Sequence, residues 1–210
     1  MSKVKICGIT NAQDALWAAN LGVDFIGLNF FGQSPRKVSV KHAKDLMSQI
    51  PPFVTVVGLF VDEPGESVAK IVKSLSLKMV QFHGQEPPDY CAEAMALGVK
   101  VIKALRLQKA LEPSDLAPYE HAVDYFLFDS YSPDMAGGVG EAFNWDWLAA
   151  AAPLTKPWFL AGGLTPENVR EAIKKTNAPM VDVCSGVERA PTRKDYESMK
   201  KFIQLAKSIR

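Results

Sequence analysis

A chain of 210 residues and 23.0 kDa, 48% hydrophobic and 22% charged, has the make-up of an ordinary soluble globular protein and length enough to bury a core without staples. Lys plus Arg number 24 against 23 Asp plus Glu, a net charge of +1 that makes no case for nucleic acid or an anionic membrane as partner. The three cysteines, Cys7, Cys91 and Cys184, show no metal-ligand spacing and cannot all pair, the start MSKVKICGITNAQD has no apolar signal core, and no apolar run nears the roughly 18 residues of a membrane helix. The reading is a soluble, cytoplasmic protein.

In chain order, short runs rich in Val, Ile and Phe recur at 4–7, 23–30, 54–61, 78–83, 99–105, 123–129, 157–162 and 179–186. Each has the length and composition of a strand. Most intervals between them carry helical periodicity. A first helix is expected at 12–21, capped by Thr10 or Asn11. Val40, Ala43, Leu46, Met47 and Ile50 share one helical face, as do Tyr196, Met199, Phe202, Ile203 and Ala206 near the end. The interval 106–122 holds Pro113 and Pro118, so only a short or irregular helix fits there. Leu21-Gly22-Val23 and Leu97-Gly98-Val99 echo each other, each ending a helix with glycine and opening a strand.

Eight strand–helix units with no linker predict one α/β domain over 1–210, a (β/α)8 TIM barrel of minimal size. A doubly wound open sheet is the alternative. It would want a GxGxxG turn after the first strand, where this chain has Cys7-Gly8-Ile9-Thr10.

In such a barrel the carboxyl ends of the strands face the active site. Reactive side chains and glycines fall there: Cys7, His83, Asp129, Gly162-Gly163 and Ser185-Gly186. Strand parity adds direction. If Val4 and Ile6 pack on helices, Lys5 and Cys7 point inward; Gln81 goes with His83, Leu127 with Asp129, and Asp182 with Cys184. Lys5 and Asp182, on strands made neighbours by closure, can pair inside the barrel, as a structural ion pair or as part of the chemistry. Gly162-Gly163 and Ser185-Gly186 each precede a helical start after the last two strands, the place where many such barrels hold phosphate on backbone N–H groups. The glycine-rich stretch at 131–142 reads either as a lid or as plain looseness. Cys91 and Cys184 read as packing residues. His83 is either a satisfied structural histidine or a ligand contact. Arg36 is either a solvated cation or a bidentate carboxylate ligand.

KICGIT (5–10), SPRKV (34–38), VGLFVDEP (57–64), QFHGQEPP (81–88), FDS (128–130), GGVGEAFNW (137–145), LAGGLTPENV (160–169) and VDVCSGVE (181–188) together resemble the phosphoribosylanthranilate isomerase family in order and over nearly the whole chain. The resemblance implies a (β/α)8 barrel that carries out an Amadori rearrangement of N-(5-phosphoribosyl)anthranilate, an aminoaldose becoming an aminoketose, with no metal and no cofactor. It implies Cys7 as general base, Asp129 as general acid, Arg36 on the anthranilate carboxylate, and the phosphosugar's phosphate on the last two glycine loops. A small-molecule phosphosugar is then the partner, not nucleic acid or membrane, and the chain acts as a monomer or weak homodimer. Val139 and Asn144 depart from the family's usual Thr and Asp in and after the lid.

The chemistry asks for such groups. Opening the furanose needs a proton on the ring oxygen, and moving the double bond needs one removed from C2′. A thiol is only a few per cent thiolate at neutral pH, so Cys7 needs tuning. An aspartic acid that donates at neutral pH needs burial or nearby negative charge to hold its proton. Indole-glycerol-phosphate synthase is the nearest rival and wants a catalytic lysine, for which Lys103 near the end of the fifth strand is the candidate. A ribulose-phosphate epimerase would want clustered metal ligands, and a silent phosphosugar-binding regulator would keep the glycine sites and lose the acid or base.

Overall fold

The computed structural model describes residues 1–130, 144–151 and 154–209. Eight parallel strands run in sequence order: β1 (Lys3–Cys7), β2 (Phe25–Asn29), β3 (Thr55–Phe60), β4 (Met79–Phe82), β5 (Lys100–Leu107), β6 (Tyr125–Ser130), β7 (Trp158–Leu160) and β8 (Met180–Val183). Each pairs with the next, and β8 returns to β1, so the sheet closes into the expected TIM barrel. Around it lie α1 (Ala12–Asn20), α2 (Val40–Met47), α3 (Gly65–Leu75), α4 (Pro88–Met95), α5 (Pro113–Leu116), α6 (Val169–Thr176) and α7 (Tyr196–Lys207).

Alternation along the strands divides the core in two. Val4, Ile6, Val80, Phe82, Phe126 and Phe128 face outward and pack with the helices. Phe25, Val57, Met79, Ile102, Leu127 and Phe159 fill the barrel. Both faces are dry, which is why these strands read as nearly continuous apolar runs. The closing seam holds a charged pair. Lys5 is in register with Asp182, and its ammonium lies 3.0 Å from Asp182 Oδ2. The pairing inferred from parity is present.

Local chemistry sets the element ends. Asn11 caps α1, its side chain accepting from Asp14 N at 2.9 Å. Asp195 caps α7 through Ser198 N at 2.8 Å. Pro113 opens α5, and a short 3-10 turn at Ala117–Tyr119 completes that connection, as irregular as the prolines require. Gly22 and Gly98 take φ of 81° and 78° and turn the chain from helix to strand, which explains the sequence echo.

Two features depart from the sequence reading. β8 stops at Val183, so Cys184 lies beyond the strand and not within it. A small antiparallel ribbon, β9 (Glu188–Ala190) with β10 (Arg193–Lys194), follows the 3-10 turn Ser185–Val187. Its strands are too short for an alternating pattern to register. The stretch 131–142, Val139 included, lies outside the described residues. Asn144 is described, and its side chain accepts from Asp146 N at 3.1 Å, a capping role an aspartate fills equally well.

Candidate active site

A cavity of about 250 Å³ opens at the carboxyl ends of the strands. Cys7 reaches it from β1, His83 from just past β4, Asp129 from β6, and Arg36 from the loop after β2. Gly162, Gly163, Ser185 and Gly186 form its β7–β8 side. All eight sequence-predicted site residues therefore line one space.

Asp129 is buried at 6% exposure, and both its oxygens are engaged. Oδ1 accepts from Ser130 N at 2.8 Å, and Oδ2 lies 3.0 Å from His83 Nε2. His83 Nδ1 lies 2.8 Å from the Gln81 side-chain amide. With that amide donating, the ring proton sits on Nε2 and points to Asp129. His83 is thus a built part of the acid's surroundings. Gly162 has φ 78°, and a Cβ there would lie 2.8 Å from Asp129 Oδ1 and collide with Ser130 N. The glycine leaves room for the carboxylate while it turns the strand-7 loop.

Cys7 sits on the opposite side with Lys5, Asp182 and Cys184 about it. Ile6 is in register with Val183, so Cys7 and Cys184 follow on neighbouring strand ends, and both line the cavity. This corrects the packing role expected for Cys184, which is half-buried and faces the cavity. Parity had already put it on the Asp182 side, and the strand's early end leaves it at the rim. Cys91, by contrast, is fully buried among apolar side chains, where burial pushes its thiol up to about 11. Neighbouring backbone leaves no room for larger residues. A Cβ at Gly27 would come 2.8 Å from Cys7 Sγ, and one at Gly8 2.9 Å from Cys184 Sγ.

The charges are arranged unevenly. The hydrogen bond to Cys184, then burial, push Cys7 well above an ordinary thiol, with Lys5 working the other way. The hydrogen bond from Cys7 pulls Cys184 down to about 6 against burial, helped by Lys194 and Arg36. Burial pushes Asp182 above the usual carboxylate range, with Lys5 opposing it, and its Oδ1 finds no partner among the described residues. Burial works against the Lys5 ammonium, yet Asp182 and Cys7 outweigh it and raise it.

Arg36 makes a bidentate pair with Glu188, at 2.8 Å from Nε and 2.7 Å from Nη2. Glu188 also meets Lys194 Nζ at 3.0 Å. Arg36 is therefore no loosely solvated cation but a fixed fork at the cavity rim. Glu188 and Lys194 went unread in the sequence, and Gln81 was placed on the His83 face without a role; for Glu188 the signal was its place in VDVCSGVE. Lys103, the rival's candidate, lies outside this cavity. Its ammonium sits 2.6 Å from Glu86 Oε2 and 2.8 Å from the Gly84 carbonyl, behind β4 and β5. Neither partner is a reactant.

The family model for N-(5'phosphoribosyl)anthranilate (PRA) isomerase matches residues 4–205. The chain belongs to the phosphoribosylanthranilate isomerase family. Within that family it is 46% identical over 209 residues to N-(5'-phosphoribosyl)anthranilate isomerase of Geobacter metallireducens, covering 99% of this chain and 100% of that one. The crystal structure of phosphoribosyl anthranilate isomerase from Thermotoga maritima superposes with a TM-score of 0.91 at 37% identity over 100% of both chains. A phosphoribosyl anthranilate isomerase in complex with reduced 1-(o-carboxyphenylamino)-1-deoxyribulose 5-phosphate gives 0.88 at 36% identity, again over 100% of both chains.

Proposed function

We propose that the chain catalyses the Amadori isomerisation of N-(5-phosphoribosyl)anthranilate in tryptophan biosynthesis, with Cys7 as general base and Asp129 as general acid. One observation carries this: a thiol from β1 and a buried carboxyl from β6 line a single cavity whose β7–β8 side is made of glycine turns. The acid and the base stand three strands apart around the barrel, so a sugar between them meets one on each side. Asp129, in its protonated form, gives its proton to the ring oxygen and opens the furanose, and His83 holds the carboxylate that remains. Cys7 removes the C2′ proton of the resulting iminium, and the C2′–H electron pair forms the C1′–C2′ double bond of the neutral enolamine that becomes the ketose. Such positioned proton transfers are worth about 10²–10⁴-fold each.

Phosphate sits at Gly162-Gly163 and at the Ser185–Val187 turn, where backbone N–H groups take the place of lysines. Only Gly fits at 186, because a Cβ would collide with the Leu164 carbonyl oxygen. Arg36 keeps about three of its five N–H donors after binding Glu188, and these are offered to the anthranilate carboxylate. Family relatives support the substrate, one of them holding a reduced form of the product named above.

The test generates the substrate from anthranilate and phosphoribosyl pyrophosphate and follows the loss of its fluorescence. Wild type is expected to turn it over, and Cys7→Ala and Asp129→Ala to lose about 10²-fold or more. Unchanged turnover in both variants would sink the assignment. The cytoplasm is the compartment that fits a pathway enzyme with three free thiols and, among the described residues, no helix long and apolar enough to cross a membrane. As to assembly, the reading is a monomer or weak homodimer. Phe53, 71% exposed, is an apolar contact available to a second copy, and a Thermotoga maritima relative is described as dimeric.

A further inference from the structure

We propose that Cys184 is the proton-accepting partner of Cys7, the two thiols on the closing seam of the barrel working as one monoanionic dyad. The inference rests on the isomerase reading above and adds a positioning residue to it.

The geometry comes first. β1 and β8 pair in register through Ile6 and Val183, which sets Cys7 beside Cys184 where the two strands end. Both thiols line the cavity, and Gly8 and Gly27 leave space for two sulfurs on neighbouring strand ends. The surrounding charges then decide which sulfur is the anion. Facing Cys7 are Lys5 on its own strand and Asp182 on β8, paired at 3.0 Å, and Arg36, whose guanidinium is already held by Glu188. His83 and Asp129, across the cavity from β4 and β6, lie 3.0 Å from each other and face Asp182. Facing Cys184 are Lys194 of β10, Arg36 from the β2 loop and Glu188 of β9. Lys194 Nζ lies 3.7 Å from Cys184 Sγ and 2.9 Å from its carbonyl oxygen. Two cations against one carboxylate leave one positive charge over, and a thiolate on Cys184 neutralises it. Cys7 has no such surplus. It stays a thiol and donates its proton to the Cys184 sulfur.

A thiol alone cannot be a base; with a thiolate behind it, it can. Cys7 Sγ bonds to the C2′ proton of the open-chain iminium while its own S–H proton passes to Cys184. The C2′–H electron pair becomes the C1′–C2′ double bond and neutralises the iminium nitrogen. The dyad gains one proton, becomes neutral, and returns that proton to solvent after turnover. Lys194 and Arg36, held by Glu188, keep the resting anion in place.

The test compares wild type with Cys184→Ser and Cys184→Ala, reading kcat/KM against pH and the ultraviolet absorbance of thiolate. Wild type is expected to show one thiolate with a midpoint near 6, and activity rising with it. In both variants Cys7 must ionise unaided, so the midpoint moves to about 8.5 or above and activity at pH 7 falls about tenfold or more, recovering in alkali. A packing role would be rescued by serine, nearly the same size; the dyad is not. Cys7→Ser separates the sulfurs, for it should keep the low-pH thiolate and lose turnover. A serine variant with wild-type rate and midpoint would overturn the proposal, as would a wild type with no thiolate below about pH 8. The titration needs no substrate, so a wild type unable to isomerise would instead count against the activity reading.

Discussion

Asp129 shows how much a single carboxyl group demands of its neighbours. Ser130 N and His83 take its two oxygens, Gln81 orients the histidine, and Gly162 withdraws so that nothing crowds Oδ1. Gly162→Ala should therefore fail twice. The left-handed backbone costs an alanine about 1–2 kcal/mol, and the methyl group presses on Asp129 and the Ser130 backbone. The expected outcome is a lower unfolding midpoint together with a kcat loss of about tenfold or more, measured by thermal denaturation and the fluorescence assay. A variant with lowered stability and unaltered kcat would detach Gly162 from the acid. The sequence put Asp129, His83 and Gly162 at strand ends, because alternation and strand length are local properties. It could not reveal that they touch, since the contact between His83 and Asp129 spans 46 residues.

At the scale of elements, caps and buried pairs fix where strands and helices stop. Asp195 caps α7, the helix that covers β1, and its carboxylate is held below the usual range by hydrogen bonds from Ser198 and its backbone. A depressed folded value means stability that is fully present above the unfolded value, near 3.9, and lost as pH falls through the lower one. Asp195→Ala should cost about 1 kcal/mol at pH 7, with the gap from wild type narrowing as pH drops below about 4. Urea unfolding at several pH values checks this; a gap that stayed constant would show that the charge contributes nothing. Lys103 teaches a different lesson. Near a strand end it reads as a possible active-site lysine, yet in register it lies beside Phe82 and Phe126 on the outer face. There it is tied to Glu86, whose other contacts are Asp62 N and Gly84 N. One step in parity separates a reactant from a strut.

For the whole molecule, the decisive event is the meeting of the first and last strands. Lys5 and Asp182 join across that seam, fully or almost fully buried. Removing one partner leaves the other charge buried and uncompensated, so Lys5→Met should destabilise by about 3–5 kcal/mol. At about 2–4 °C per kcal/mol for a chain of this length, the melting midpoint should fall roughly 6–20 °C. Lys5→Met combined with Asp182→Leu should recover much of the loss, because no lone ion remains. We further propose that the 210 residues unfold as one domain, which predicts coincident circular dichroism and tryptophan fluorescence transitions. Separate transitions would divide the barrel.

By itself the sequence determined the eight strands and most of the helices between them, the inward or outward sense of most strand residues, and the chemistry gathered at the strand ends. All of these follow from local periodicity, turn residues and caps. The near-zero net charge fits the proposed function, in which a doubly anionic substrate is held by one fixed arginine and backbone dipoles and not by a basic surface. Only the tertiary structure decided which groups meet. Arg36 grips Glu188 across 152 residues, and Cys184 leaves the packing role its sequence suggested to face Cys7. Closure of the barrel brings the two ends of the chain together, and a contact between distant residues depends on that closure, not on any pattern near either one.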